Sequence, residues 1–61
     1  MTAPLNTAEA AHYLRLPVRT LTLWREKRRG PRYYKVGKAI RYYVVDLDAW
    51  LRGQVVEPKG V

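Results

Sequence analysis

The chain contains no cysteine, no phenylalanine and a single histidine among its 61 residues. Without cysteine no disulfide staples so small a domain, and His12 alone supplies no zinc-finger ligand set. Acids are scarce: five Asp and Glu stand against twelve Lys and Arg, for a net charge of +7. Long apolar runs are missing too, since none approaches the ~20 residues of a membrane span. Met1 to Asn6 has neither the basic start nor the apolar stretch of a signal peptide, so none is expected. A catalytic set is also lacking. There is no cysteine nucleophile, no phosphate-cradling glycine loop and no paired carboxylate in an apolar setting. Asp46 and Asp48 read instead as acids at the start of a helix, where negative charge is favoured. No enzyme activity, no cofactor and no metal are expected.

What the chain does have is positive charge, packed into its middle. Arg15 to Arg41 hold ten of the twelve cations and one acid, Glu26, so this window carries about +9 and the two ends together about −2. Clustered Lys and Arg release the counterions of a polyanion, and that release drives nucleic-acid binding. A cytoplasmic location on DNA is the resulting expectation. A basic helix also suits an anionic membrane surface. Here, however, the charge alternates with an aliphatic and aromatic stripe that the domain needs for its own core.

Sixty-one residues make one domain with a thin core, because so short a chain buries only about 60% of its unfolded surface. Asn6 and Glu9 form a capping-box signal with Leu5 in the staple position, predicting a first helix to about Leu14. Leu16-Pro17 predicts a tight turn into a second helix over about Val18 to Arg28, ended by Gly30-Pro31. Leu21, Trp24, Arg25 and Arg28 lie towards one side of that helix. Arg19, Leu23 and Glu26 centre the opposite side, with Thr20, Thr22 and Lys27 on its flanks. Strand formers over Arg32 to Val36 and Ala39 to Tyr43, parted by Gly37-Lys38, predict a β-hairpin. In each of the pairs Tyr33-Tyr34 and Tyr42-Tyr43 one ring should face the core and the other the solvent. A third helix is expected over Val44 to Arg52, with Leu47, Trp50 and Leu51 on its apolar face and Gly53 at its end. Trp24 and Trp50 are expected in the core and His12 on the surface. The domain is placed at residues 1–52, and residues 53–61, with Pro58 and Gly60, are expected to be a flexible tail.

Two short helices joined by a tight turn, the second one basic, predict a helix-turn-helix, and the hairpin and closing helix make it winged. The fold class is therefore mainly α with a short β-hairpin. A helix about 10–12 Å across fits a major groove about 12 Å wide. Arg19 can fork onto guanine O6 and N7. Thr20 and Thr22 can bond a base or a phosphate, although Thr20 would equally serve as a helix cap. Leu23 suits a thymine methyl or a partner subunit. Glu26 suits cytosine N4 or a neighbouring cation, and Lys27 adds charge on the flank. In the wing, Arg32, Lys35, Lys38 and Arg41 surround a tip turned by Gly37, positioned for phosphate or minor groove. The competing view is an edge hairpin whose lysines block aggregation.

Leu5-Asn6-Thr7-Ala8-Glu9-Ala10-Ala11, Tyr13-Leu14 and Arg19-Thr20-Leu21 with Trp24 closely resemble the opening of the small excisionase-type, MerR-like winged helix-turn-helix proteins. Gly30-Pro31, Lys35-Val36-Gly37, Ile40-Arg41-Tyr42 and Asp46-Leu47-Asp48-Ala49-Trp50-Leu51 resemble that family's wing and closing helix. The resemblance covers about residues 5 to 52. It departs at Pro17, where the family more often has a Ser or Thr cap. It implies a DNA-binding protein of a bacteriophage or mobile element. Such an excisionase, or recombination directionality factor, bends attachment-site DNA and steers an integrase towards excision, with protomers bound side by side or as a dimer. A small transcriptional regulator using the same surface is the alternative, and a protein adaptor or RNA-binding module stands further off.

Overall fold

The first helix starts where a side chain satisfies its free amides. In the computed structural model, which describes residues 3–56, α1 runs over Thr7–Leu14 with Asn6 as its extended N-cap. Glu9 N–H donates to Asn6 Oδ1 at 2.7 Å, and Asn6 N–H donates to Glu9 Oε1 at 2.9 Å. The expected capping box is therefore closed on both sides. Helices α2 (Val18–Glu26) and α3 (Val44–Arg52) follow, with strands β1 (Tyr34–Val36) and β2 (Ala39–Arg41) between them. The strands pair antiparallel, with Tyr34 opposite Arg41, Lys35 opposite Ile40 and Val36 opposite Ala39. Three helices with a hairpin between the second and third make a winged helix-turn-helix.

The core is as thin as the length demands. Ala10, Ala11, Leu21, Tyr42 and Leu47 are fully buried, with Leu5, Leu14, Trp24 and Ile40 packed against them. Two alanines on α1 allow α2 and α3 to approach closely, since no long side chain holds them apart. Trp24 and Trp50 are half-buried rather than enclosed. Their ring centroids stand 5.2 Å apart at 50°, which joins the outer ends of α2 and α3. Tyr13 adds a polar tie: its hydroxyl donates to Asp48 Oδ1 at 2.5 Å, linking α1 to α3. That hydrogen bond, with some desolvation and the carboxylate charge behind it, raises the phenol above its ordinary pKa. Asp48 thus serves a cross-helix bond, beyond the helix-start role read from the sequence, while Asp46 lies in the first turn.

Several boundaries differ from expectation. Helix α2 stops at Glu26, two residues short of Arg28, because Arg28 turns left-handed at φ 57°. Gly30-Pro31 follows that stop and does not cause it. The strands hold three residues each, since Tyr42 leaves the hairpin ladder to pair with Leu5. Leu5 and Tyr42 exchange two backbone hydrogen bonds, both 2.7 Å. The staple residue therefore also forms an isolated antiparallel β-bridge that ties the wing to the start of α1. Tyr42 and Tyr43 divide as expected, one buried and one 40% exposed, but Tyr33 and Tyr34 are each 39% exposed. Tyr33 lies beside the buried Tyr42 at 6.0 Å, and Tyr34 meets Tyr43 edge-on at 5.2 Å. Strand alternation sends the first pair to opposite faces, but the wing's edge is too open to bury either ring. Leu51, expected on the apolar face of α3, is 43% exposed. His12 is exposed and Gly53 caps α3, both as expected. Pro58 and Gly60 of the expected tail lie outside the described residues.

Candidate nucleic-acid interface

Helix α2 presents two chemically different sides. Leu21 is buried, while Arg19, Leu23 and Glu26, spaced i, i+4 and i+7, are exposed together on the outer side. Leu23 is 48% exposed, an apolar side chain in a cationic setting. Thr20 and Thr22 are half-buried on the flanks and Lys27 is exposed at the C-cap. The Thr22 hydroxyl donates to Val18 O one turn back at 3.3 Å, which leaves its oxygen lone pairs for an outside donor. Thr20 is not the cap. Pro17 occupies that position, and Thr20 N–H donates to its carbonyl at 3.0 Å. The departure from a Ser or Thr cap at Pro17 thus leaves α2 without a side-chain cap.

The wing turns in two residues. Gly37 has φ 63° and Lys38 is not among the residues of positive φ, the pattern of a type II′ hairpin turn. No heavy atom lies within 4 Å of a Cβ built at Gly37, so the requirement there is for backbone conformation alone. Arg32, Lys35 and Lys38 are exposed, whereas Arg41 is half-buried and donates to Ile40 O at 2.8 Å. The register separates two of these cations. Lys35 shares a face of the ribbon with Ile40, and Arg41 shares the other face with Tyr34. The charges around the tip therefore point to both sides of the wing.

Arg25 joins the wing to α2. Its Nη1 donates to the Tyr42 hydroxyl at 3.1 Å and to Thr7 Oγ1 at 3.3 Å, and its guanidinium lies 5.8 Å from the Tyr33 ring centroid. One side chain thus ties the start of α1, α2 and the wing together. The helical spacing had already turned Arg25 away from the outer face, and the structure gives the reason.

Beyond α2, the segment Lys27-Arg28-Arg29-Gly30-Pro31-Arg32 carries four cations and no acid. It is held firmly. Gly30 sits at φ 84°, and a Cβ there would lie 2.8 Å from a Trp24 ring carbon; Pro31 is buried. Two open clefts flank this loop, about 460 and 470 Å³ in volume. Arg28, Arg29 and Gly30 line both of them. Arg28 and Arg29 carried no expected contact, although their position straight after α2 is plain in the sequence.

An exposed polar and cationic helix face, a charged hairpin and a basic loop are suited to a polyanion with a groove. No helix among the described residues is long and apolar enough to cross a membrane. No curated protein matches the chain. A model of the helix-turn-helix domain, however, matches residues 4–55, nearly all of it. The chain belongs to the helix-turn-helix domain family and is a DNA-binding domain.

Proposed function

We propose that this chain reads duplex DNA with the outer face of α2 in the major groove and the hairpin tip on the adjoining backbone. We propose further that it acts as an excisionase, bending attachment-site DNA and directing an integrase towards excision. The observation that carries the first part is the joint exposure of Arg19, Leu23, Glu26 and Lys27 on the one side of α2 that the core does not use. Arg19 suits guanine, Leu23 a thymine methyl, and Glu26 a cytosine amino group. Thr20, Thr22, Arg32, Lys35, Lys38 and Arg41 supply the surrounding polar and phosphate contacts.

The architectural role rests on the resemblance of residues 5 to 52 to the excisionase-type proteins. It also agrees with the energetics. Bending a 20–30 bp site by 40–90° costs on the order of 1–6 kcal/mol. A single small domain with one recognition helix offsets little of that. Protomers bound side by side share the cost through effective concentration.

A gel-shift and circular-permutation assay on DNA flanking the integrase attachment site tests both parts. Cooperative shifts, mobility that depends on the position of the site, and stimulated excision by the integrase are the expected results. Arg19→Ala should relax preference at one base pair at a cost of about 1–3 kcal/mol. Specific binding at a promoter without bending or stimulation of excision would instead assign a transcriptional regulator. Absence of any preference for duplex DNA would overturn the reading of the surface itself.

A further inference from the structure

Both helices of the helix-turn-helix end in the same backbone device. After α1, Arg15 N–H donates to His12 O at 3.1 Å and Leu16 N–H donates to Ala11 O at 2.9 Å. After α2, Arg28 N–H donates to Arg25 O at 3.1 Å and Arg29 N–H donates to Trp24 O at 2.7 Å. These are the paired bonds of a Schellman motif, which turns the chain through one left-handed residue, ordinarily glycine. In this chain the left-handed residue is arginine both times, Arg15 at φ 58° and Arg28 at φ 57°. Among the described residues no other non-glycine residue has a positive φ.

A residue with a Cβ is disfavoured in that conformation, and arginine lacks the short polar side chain that lets asparagine tolerate it. Something must hold arginine at two positions whose backbone favours glycine. The fold does not supply it. Both residues are exposed, and among the described residues neither side chain donates a hydrogen bond. Their placement suggests what does. Arg15 lies three residues before Val18 and Arg28 two residues after Glu26, so the two cations bracket the recognition helix. Arg28 also lines both open clefts beside Gly30, with Arg29 next to it and Arg32 on the far side of the loop.

We propose that Arg15 and Arg28 are phosphate clamps, one at each end of the recognition helix, kept as arginine against the preference of the backbone because DNA needs the cation there. This rests on the DNA reading above and adds two contacts to it. The competing explanation is a cation that complements the negative end of each helix dipole. The two differ in sign. If the arginines serve the dipole, glycine weakens the fold. If they serve DNA, glycine relieves the backbone and weakens binding only.

The test uses Arg15→Gly, Arg28→Gly, the double variant and Arg28→Lys. For each, Tm is measured, together with the dependence of affinity on salt for one cognate and one scrambled duplex. In the glycine variants Tm should hold or rise. The slope of log K against log salt should shrink by about 0.9 for each arginine removed. The ratio of cognate to scrambled affinity should stay the same, since phosphate contacts carry no sequence information. Arg28→Lys should keep the full slope. A lower Tm in the glycine variants, or an unchanged slope in the double variant, overturns the proposal. If the wild-type chain binds duplex DNA with its full slope and the double variant matches it, the clamps fail and the DNA reading stands. If the wild-type chain shows no salt-dependent duplex binding, both fail.

Discussion

At the residue scale, cations that look alike in the sequence have separate tasks. Arg25 lies in the same basic run as Arg19 and Lys27, yet its guanidinium is turned inward onto Thr7, Tyr42 and the Tyr33 ring. Tyr42 is 1% exposed, so its hydroxyl depends on that partner. Arg25→Met keeps much of the aliphatic stem's packing and removes the hydrogen bonds. Bonds to charged groups contribute about 1.5–3 kcal/mol, and an abandoned buried hydroxyl adds a penalty. Thermal unfolding should therefore occur at a lower temperature, by about 4–8 °C for each kcal/mol lost in a domain of this size. The salt dependence of DNA binding should not change, because this charge is already engaged inside the fold. The reverse result, a smaller salt slope at an unchanged Tm, would make Arg25 a DNA contact and remove it from the frame.

At the scale of elements, the wing is held at its base and free at its tip. Leu5 and Arg25 anchor Tyr42, while β1 is exposed along its whole length. A hairpin of three-residue strands is marginal alone and relies on its turn for register. Gly37→Ala places a Cβ in open space but at φ 63°, so the expected cost is backbone strain of about 1–2 kcal/mol. Amides of residues 34–41 should exchange faster, while those around Leu21 and Leu47 keep their protection. Equal protection across the hairpin in wild type and variant would show that the turn does not set the wing. The elements also divide by how well the sequence disclosed them. The start of α1 was readable from the Asn6 and Glu9 capping box, and the ends of α1 and α3 from the nearby Pro17 and Gly53. The end of α2 was not, because a left-handed arginine carries no composition signal and the nearby Gly30-Pro31 does. The outer face of α2 followed from helical spacing alone. The bridge from Leu5 to Tyr42 and the divergence of Lys35 from Arg41 did not, since both depend on where distant segments meet.

At the scale of the whole molecule, the small core limits what the fold can lose. Globular domains hold roughly 0.05–0.15 kcal/mol of stability per residue, or about 3–9 kcal/mol for this length. Leu47 is 0% exposed and packs where α3 meets the two alanines of α1 and Leu21 of α2. Leu47→Ala should cost about 2–5 kcal/mol through lost burial and a residual cavity. That consumes much of the available stability without touching a single proposed DNA contact. Bound DNA should restore part of it, because a ligand at 100 times its Kd stabilises the folded state by about 2.7 kcal/mol. The variant should therefore melt far below wild type when free and recover by at least about 10 °C on a saturating cognate duplex. Calorimetry with and without the duplex decides the matter. Recovery with the duplex means that the DNA surface assembles whenever the core does. A variant that folds on its own at wild-type temperature would show that the domain draws its stability from somewhere other than these five buried side chains.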